Sequence, residues 1–154
     1  MSLDRSRHAP ITCKYNASIT KAHENRHFPV RLDVAVAAGQ YDFPTVGIQG
    51  ATAAENAVVW GELLEVNTDN KTCSVQFEGI LYLRAKEAYA MANNGDPVAM
   101  SDAADQVKPI ASVGDTSGSD VSALVNAIAN APVIEGGFTI NDSGATVNIL
   151  KCRK

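Results

Sequence analysis

Alternation of apolar and polar residues predicts strands along most of the chain. From residue 30 to residue 36, valine and leucine alternate with charged or small residues, which is the period of a half-buried strand. A second apolar segment, Val58–Val66, leads into the polar turn Asn67–Lys71, and alternation resumes as far as Phe77. This order of strand, turn and strand predicts a β-hairpin.

The second half of the chain continues the same pattern with more apolar strands. Gly79 precedes Ile80–Leu83, which is apolar on both faces, and a glycine at such a junction favours a bend into a buried strand. The turn Asn93–Pro97 separates this strand from the next apolar segment. The sequence ends with two further predicted strands, Val133–Ile140 and Ala145–Leu150, joined by a polar turn.

Helical periodicity is confined to one segment. Between residues 114 and 132, apolar residues recur at the spacing i, i+3, i+4 and i+7, and this predicts a short helix within an insertion. The residues at this spacing are Val121, Leu124, Val125 and Ile128.

The predicted fold class is mainly β, as a compact β-barrel or β-sandwich-like domain with one short helix. At 154 residues, the chain is long enough for an ordinary hydrophobic core without cross-links. We predict two parts, an extended basic arm over residues 1–27 and a β-rich domain over residues 28–154. Within the arm, Ile11–Tyr15 has the composition of a short edge strand.

Charge distinguishes the arm from the rest of the chain. Residues 1–31 hold six basic and two acidic side chains, a balance of +4, whereas the other 123 residues hold seven basic and fifteen acidic ones, a balance of −8. This asymmetry indicates an arm that docks on an acidic surface, of protein or nucleic acid. An ordinary solvated terminus is the alternative.

Cysteine usage and hydropathy indicate synthesis in a reducing cytosol. Cys13, Cys73 and Cys152 are an odd number and are far apart in sequence, which is typical of neither a disulfide framework nor a zinc cluster. The first ten residues lack the apolar segment of a secretory signal, and no segment has the length of a membrane span.

One motif points to an enzyme. His23, Glu24 and His27 have the H-E-x-x-H spacing of zinc proteases, in which one helix face holds the metal and the glutamate acts as general base. Pro29 disfavours helix at this point, and Asp33 occupies the position of a third ligand within a predicted strand. A zinc-dependent hydrolase is therefore the less favoured alternative.

Other catalytic patterns are missing from the sequence. It contains no phosphate-binding loop of the G-x-x-x-x-G-K-[ST] type, no G-x-G-x-x-G and no G-x-S-x-G. The carboxylate pairs Glu62 with Glu65 and Asp102 with Asp105 lie on polar segments, where solvated faces are expected. We therefore expect a binding protein without a catalytic site, metal or cofactor.

Four segments resemble those of tailed-bacteriophage capsid decoration proteins, also called cement or head-stabilisation proteins. The segments are Trp60–Val66 (WGELLEV), Gly79–Leu83 (GILYL), Asn94–Val98 (NGDPV) and Ala145–Leu150 (ATVNIL). The resemblance spans about residues 30–151, and the arm and the insertion depart from it.

This resemblance implies a β-tulip-type domain on the outer surface of a phage head, made in the host cytoplasm and assembled into the virion. The implied partner is the major capsid protein, a homotrimer is the favoured oligomer, and neither a membrane nor nucleic acid is an expected partner. We expect basic arm residues to contact the capsid, namely Arg5, Arg7, Lys14, Lys21 and Arg26. Another virion component, such as a tail or head-completion protein, stays open as an alternative.

Overall fold

The computed structural model describes six segments of the chain: residues 9–33, 44–48, 58–85, 94–100, 106–110 and 129–154. Within them the chain forms ten strands and one short 3-10 helix at Lys21–His23. The strands are β1 (Ile11–Tyr15), β2 (Pro29–Leu32), β3 (Thr45–Gly47), β4 (Gly61–Asn67), β5 (Thr72–Gln76), β6 (Ile80–Ala85), β7 (Val98–Met100), β8 (Val107–Pro109), β9 (Val133–Asp142) and β10 (Ala145–Arg153).

The first five strands close into a barrel with the order β1-β3-β2-β4-β5. β1 runs parallel to β3, and the other neighbouring pairs are antiparallel. Residues that face the barrel interior alternate with outward-facing ones along the strands, and many of the interior residues are fully buried. These buried residues include Cys13, Val30, Val46, Leu63 and Val75.

The hairpin predicted over residues 58–77 is confirmed as β4 and β5. Its turn is stabilised by Asn67, whose side-chain oxygen accepts the backbone N–H groups of Asp69 and Asn70 at 3.0 and 3.1 Å. Lys71 completes the turn with a φ of 54°. The pairing shifts register between Leu63 and Glu65, which is a β-bulge.

The other five strands form a second sheet with the order β7-β8-β6-β10-β9. Its long hairpin, β9 with β10, is the one predicted from the end of the sequence, and Gly144 in its turn has a φ of 87°. Gly79, with a φ of 82°, makes the predicted bend into β6. One face of this sheet covers a separate core that includes Val59, Leu81, Leu83, Leu150 and Cys152.

The turn before β7 is hydrogen-bonded to the start of β9, so it links the two outer strands of the second sheet. Pro97 pairs with Val133 as an isolated antiparallel bridge. Beside it, the Gly95 N–H donates to the Ile134 carbonyl at 2.8 Å, and the Ile134 N–H donates to the Asp96 carbonyl at 2.9 Å. The sheet therefore curves until β9 approaches the start of β7.

The predicted mainly β fold with a barrel is confirmed, but part of the predicted arm belongs to the barrel. β1 pairs with β3 on one side and β5 on the other, so it is a closed-barrel strand instead of an edge strand. The physical reason is its alternation, which points Cys13 into the core and Lys14 outward. Residues 1–8, the predicted helix at 121–128 and the strand prediction beyond Asp33 lie outside the described residues.

Candidate functional site

Charged side chains from both sheets meet where β6 passes beside the barrel. The Arg84 N–H donates to the His27 carbonyl at 2.9 Å, so the backbone of β6 is directly bonded to the segment that leads into β2. We call the polar and ionisable residues gathered here the junction cluster. They are Arg26, His27, Glu62, Arg84 and Asp142.

Glu62 lies at the barrel side of the junction cluster and is 2% exposed. One carboxyl oxygen lies 2.9 Å from His27 Nδ1, and the other accepts the Tyr82 N–H at 2.9 Å. The sequence predicts a solvated face for Glu62 and Glu65, and this is wrong for Glu62. Leu63 and Val66 point into the barrel core, so Glu62 and Glu65 both lie on the outer face of β4. They differ because β6 covers this face at Glu62, where the Tyr82 N–H is bonded, whereas Glu65 is exposed.

Asp142, near the tip of the β9–β10 hairpin, binds two arginines. Arg26 donates from Nε and Nη2 at 2.9 and 2.7 Å, and Arg84 Nη1 donates at 2.6 Å to the same oxygen, Oδ2. The hydrogen bonds from Arg26 and then from Arg84 lower the pKa of the Asp142 carboxyl to about 2. Asp142 therefore stays ionised at every ordinary pH, and it ties the hairpin to the barrel.

Aromatic rings cover both ends of the junction cluster. The Arg84 guanidinium lies 4.6 Å from the centroid of the Phe28 ring, and that ring is buried. On the other side, the ring of Tyr82 makes edge contacts with His27 at 5.9 Å and with Phe138 at 5.8 Å. These contacts position the charged groups by packing as well as by hydrogen bonding.

The arrangement is suited to holding two sheets together. Both oxygens of Glu62 and both oxygens of Asp142 have protein partners within 3.1 Å. Glu62 is buried and Asp142 is half-buried. Charges held by several partners from different elements fix the relative position of those elements, because moving one element breaks hydrogen bonds to a charged group. The chemistry that this geometry supports best is structural coupling.

The zinc protease motif does not form a shared helix face. The 3-10 helix ends at His23, the backbone of Glu24 is already extended, and His27 has a φ of 62°. His23 Nδ1 accepts the Thr20 N–H at 2.9 Å, whereas His27 lies in the junction cluster. The helix has therefore ended well before Phe28, the residue that Pro29 disfavours for helix, and the positive φ of 54° at Asn25 keeps the backbone non-helical.

The remaining residues of this motif also have other partners. Glu24 accepts the Val66 N–H at 2.8 Å and pairs with Lys21, and these bonds, that from Lys21 first, lower the pKa of its carboxyl. The predicted third ligand, Asp33, accepts from the Asn16 side chain at 2.9 Å. Across the six segments described, no group of three metal-binding side chains is found.

The five predicted capsid-binding residues have different surroundings. Arg5 and Arg7 lie outside the described residues. Lys14 is half-buried on β1, and Lys21 donates to the Val66 carbonyl at 2.9 Å. Arg26 belongs to the junction cluster, so its guanidinium already has an internal partner in Asp142. Capsid contact by these residues stays a prediction.

Lys21 also lines a polar depression of about 560 Å³ on the barrel. Its other walls come from Glu24, the outer face of β5 and the turn that contains Asp69. Sites for drug-sized ligands are mostly apolar with a few polar groups, so this lining is typical of a solvated groove.

Sequence analysis missed Glu62, Arg84 and Asp142 as members of a common cluster. The sequence does indicate burial for Glu62 and Arg84, because each is a charged residue next to apolar residues of its strand. Such residues are rarely buried without partners, and a partner on another strand is therefore expected. Asp142 gave no such indication, because it lies in a turn-rich segment.

Comparison with known proteins identifies no family for this chain. A scan against protein-family models finds no match, and a search of curated proteins finds none either. None of the helices in the described segments is long and apolar enough to cross a membrane.

Proposed function

We propose that this protein is a structural virion component that binds the outer surface of a tailed-phage head and stabilises the capsid lattice. In this proposal its partner is the major capsid protein, and a homotrimer is the favoured assembly. The protein needs no cofactor for this function, and the residues of the junction cluster serve to keep its two sheets in register.

The main support is where the four segments that resemble decoration proteins lie in the fold. Gly79–Leu83 enters β6, and Ala145–Leu150 forms most of β10, its direct neighbour in the second sheet. Trp60–Val66 forms β4, which contributes Glu62 to the junction cluster. The Asn94–Val98 turn joins the outer strands of the second sheet. Three of the four segments therefore lie in the second sheet, and the fourth is the barrel strand that contacts β6 through Glu62.

The distribution of charge gives a second, weaker support. The first 31 residues carry a balance of +4 on a chain whose net charge is −4. A basic segment attached to an acidic body can contact an acidic neighbour, and repeated attachment on a symmetric lattice converts modest single contacts into tight binding.

Cosedimentation of the purified chain with undecorated tailed-phage heads tests this proposal. We expect saturable binding at a fixed ratio to capsid subunits, together with a trimer mass by size-exclusion chromatography and light scattering. Absence of binding to the heads would contradict the proposal. Self-assembly into rings or tubes would favour the tail or head-completion alternative.

The contribution of the basic arm is tested by removing residues 1–8. Removal of residues 1–27 is unsuitable, because β1 closes the barrel and Arg26 binds Asp142. We expect loss of residues 1–8, with Arg5 and Arg7, to weaken binding about tenfold, which is the effect of losing about 1.4 kcal/mol of binding free energy.

The matched control is Lys71→Gln at the exposed turn between β4 and β5, which lowers the net charge by one, as does the loss of Asp4, Arg5 and Arg7. It should leave binding unchanged if the arm acts locally. Equal weakening by both variants would show that only net charge matters, and unchanged binding after deletion would remove the arm from the interface.

A further inference from the structure

Two of the three cysteines lie directly opposite each other on neighbouring barrel strands. In the antiparallel pair of β1 and β5, Cys13 is in register with Cys73. Residues that face each other in an antiparallel pair point to the same side of the sheet, here into the barrel core. The spacing in sequence does not predict this pair, because 59 residues lie between Cys13 and Cys73.

The hydrogen bonds of β1 show which kind of pair this is. The N–H groups of Lys14 and Asn16 donate to carbonyls on the β3 side of the strand. Because backbone groups alternate in direction along a strand, the N–H and C=O of Cys13 point toward β5. Cys13 and Cys73 therefore form a hydrogen-bonded pair, for which the Cα atoms are about 5.5 Å apart.

This spacing is compatible with a disulfide. Bridged cysteines have Cα separations of about 4.4–6.8 Å and Cβ separations near 3.8 Å, whereas opposed strand residues have Cβ atoms about 4.5–5.5 Å apart, with the longer values in hydrogen-bonded pairs. A shift of about 1–2 Å between β1 and β5 closes this gap. Both strands are short, with five residues each, so such a shift involves few neighbours.

The environment keeps both thiols protonated and slow to react. Cys13 is 0% exposed and Cys73 is 3% exposed. Burial raises the pKa of Cys13 to about 11, and burial together with the neighbouring Cys13 raises the pKa of Cys73 to about 12. The reaction therefore depends on brief opening of the β1–β5 seam, which admits an oxidant and a base.

We propose that Cys13 and Cys73 are a modification site at which a cross-strand disulfide closes the barrel covalently under oxidising conditions. The oxidant is a small-molecule disulfide. The thiolate of one cysteine attacks it, releasing one small thiol and forming a mixed disulfide. The second cysteine then attacks the protein sulfur of that mixed disulfide and releases the second small thiol. The two cysteines lose two electrons and two protons, which the two released thiols retain.

This disulfide is a covalent cross-link that is absent in a reducing compartment and forms in an oxidising one. Among the described strands, β1 is held to the barrel by parallel pairing with β3 and antiparallel pairing with β5. A link between Cys13 and Cys73 fixes the second of these seams and restricts the unfolded chain by closing a long loop.

The experiment is equilibration of the full-length protein with oxidised glutathione at a series of ratios to reduced glutathione. After denaturation, thiols are alkylated and counted by mass, and cross-linked peptides are mapped. We expect the count to fall from three to one, with Cys13 joined to Cys73 within one chain and Cys152 alkylated. The melting temperature should rise on the order of 5–10 °C after oxidation.

Cys152→Ala is the matched control, because Cys152 is equally buried but lies opposite Leu81 and Ile134 in the other core. It should still form the bond and show the same rise in melting temperature. Cys13→Ala and Cys73→Ala should abolish both effects, and thermal melts in reducing buffer establish that each variant is folded.

Three results would overturn the proposal. The first is a thiol count that stays at three, even just below the unfolding transition. The second is a disulfide that involves Cys152 or a second chain. The third is a Cys13–Cys73 disulfide that leaves the melting temperature unchanged.

Discussion

In the five-stranded barrel, every strand pairs with a neighbour on each side. In the second sheet, the outer strands β7 and β9 are linked through the turn before β7, where Pro97 pairs with Val133. Both regions have a sealed core, since Val46 in the barrel and Leu150 in the second sheet are each 0% exposed. The difference lies in the edges: the barrel closes by backbone pairing, whereas the second sheet ends in the β9–β10 hairpin, on which Phe138 is 44% exposed. The position of this hairpin therefore depends on contacts at its tip. Asp142 supplies those contacts by binding the barrel residue Arg26 and the β6 residue Arg84.

The largest effect is expected from removing an arginine of the junction cluster. Arg84→Leu leaves Asp142 with Arg26 as a cationic partner but removes one charged hydrogen bond and the contact with the Phe28 ring. We expect a loss of about 2–3 kcal/mol in the free energy of unfolding. Chemical denaturation measures this loss. The control is Arg153→Leu, which breaks an exposed pair with Glu135 and should cost no more than about 0.5 kcal/mol. Equal losses in both variants would contradict the special role of the junction.

The next largest effect tests how closely the barrel strands approach. A Cβ at Gly61 would lie 2.5 Å from the Gln76 carbonyl oxygen and 2.6 Å from Val75 Cγ1, so Gly61→Ala forces β4 away from β5. We expect a cost of about 2 kcal/mol, measured by denaturation. Gly136→Ala in β9 has open space around the added methyl group and should be nearly neutral. A neutral Gly61→Ala would contradict the tight closure of the barrel.

Acid should weaken the junction in a defined range. The pKa of Asp142 is lowered in the folded protein, from an ordinary value of 3.8 to about 2. Its contribution to stability is therefore complete above pH 4 and is lost as the pH falls toward 2. We expect Asp142→Asn to lose less stability than the wild type across this range, in denaturation series at successive pH values. Asp69→Asn, at an exposed turn, should behave like the wild type.

The smallest effect concerns the exposed ring of the hairpin. Phe138→Ser removes an edge contact with Tyr82 from a side chain that is already half in solvent, so we expect a cost of about 0.5–1 kcal/mol. Thermal denaturation is sufficient to detect it. A cost above that of Arg84→Leu would show that aromatic packing, and not the ionic contacts, holds the hairpin.

Local pattern was sufficient to predict the two hairpins and the bend at Gly79, because alternation and turn residues act over a few neighbouring positions. It was insufficient for barrel closure, which depends on the parallel pairing of β1 with β3 across some thirty residues of sequence. The same limit applies to the site. Glu62 is buried because β6 packs on the outer face of β4, and Cys13 meets Cys73 because the barrel closes. Neither cause is visible in local spacing.

Native-state hydrogen exchange of the wild type and Arg84→Leu tests most directly whether the junction cluster couples the two cores. Suitable probes are the backbone amides of Leu63 and Val75 in the barrel, and of Leu83 and Leu150 in the second sheet. The account predicts one shared opening free energy for all four in the wild type, and two separate values in Arg84→Leu, with the second sheet lower. Two values already present in the wild type, or one shared value in the variant, would contradict it.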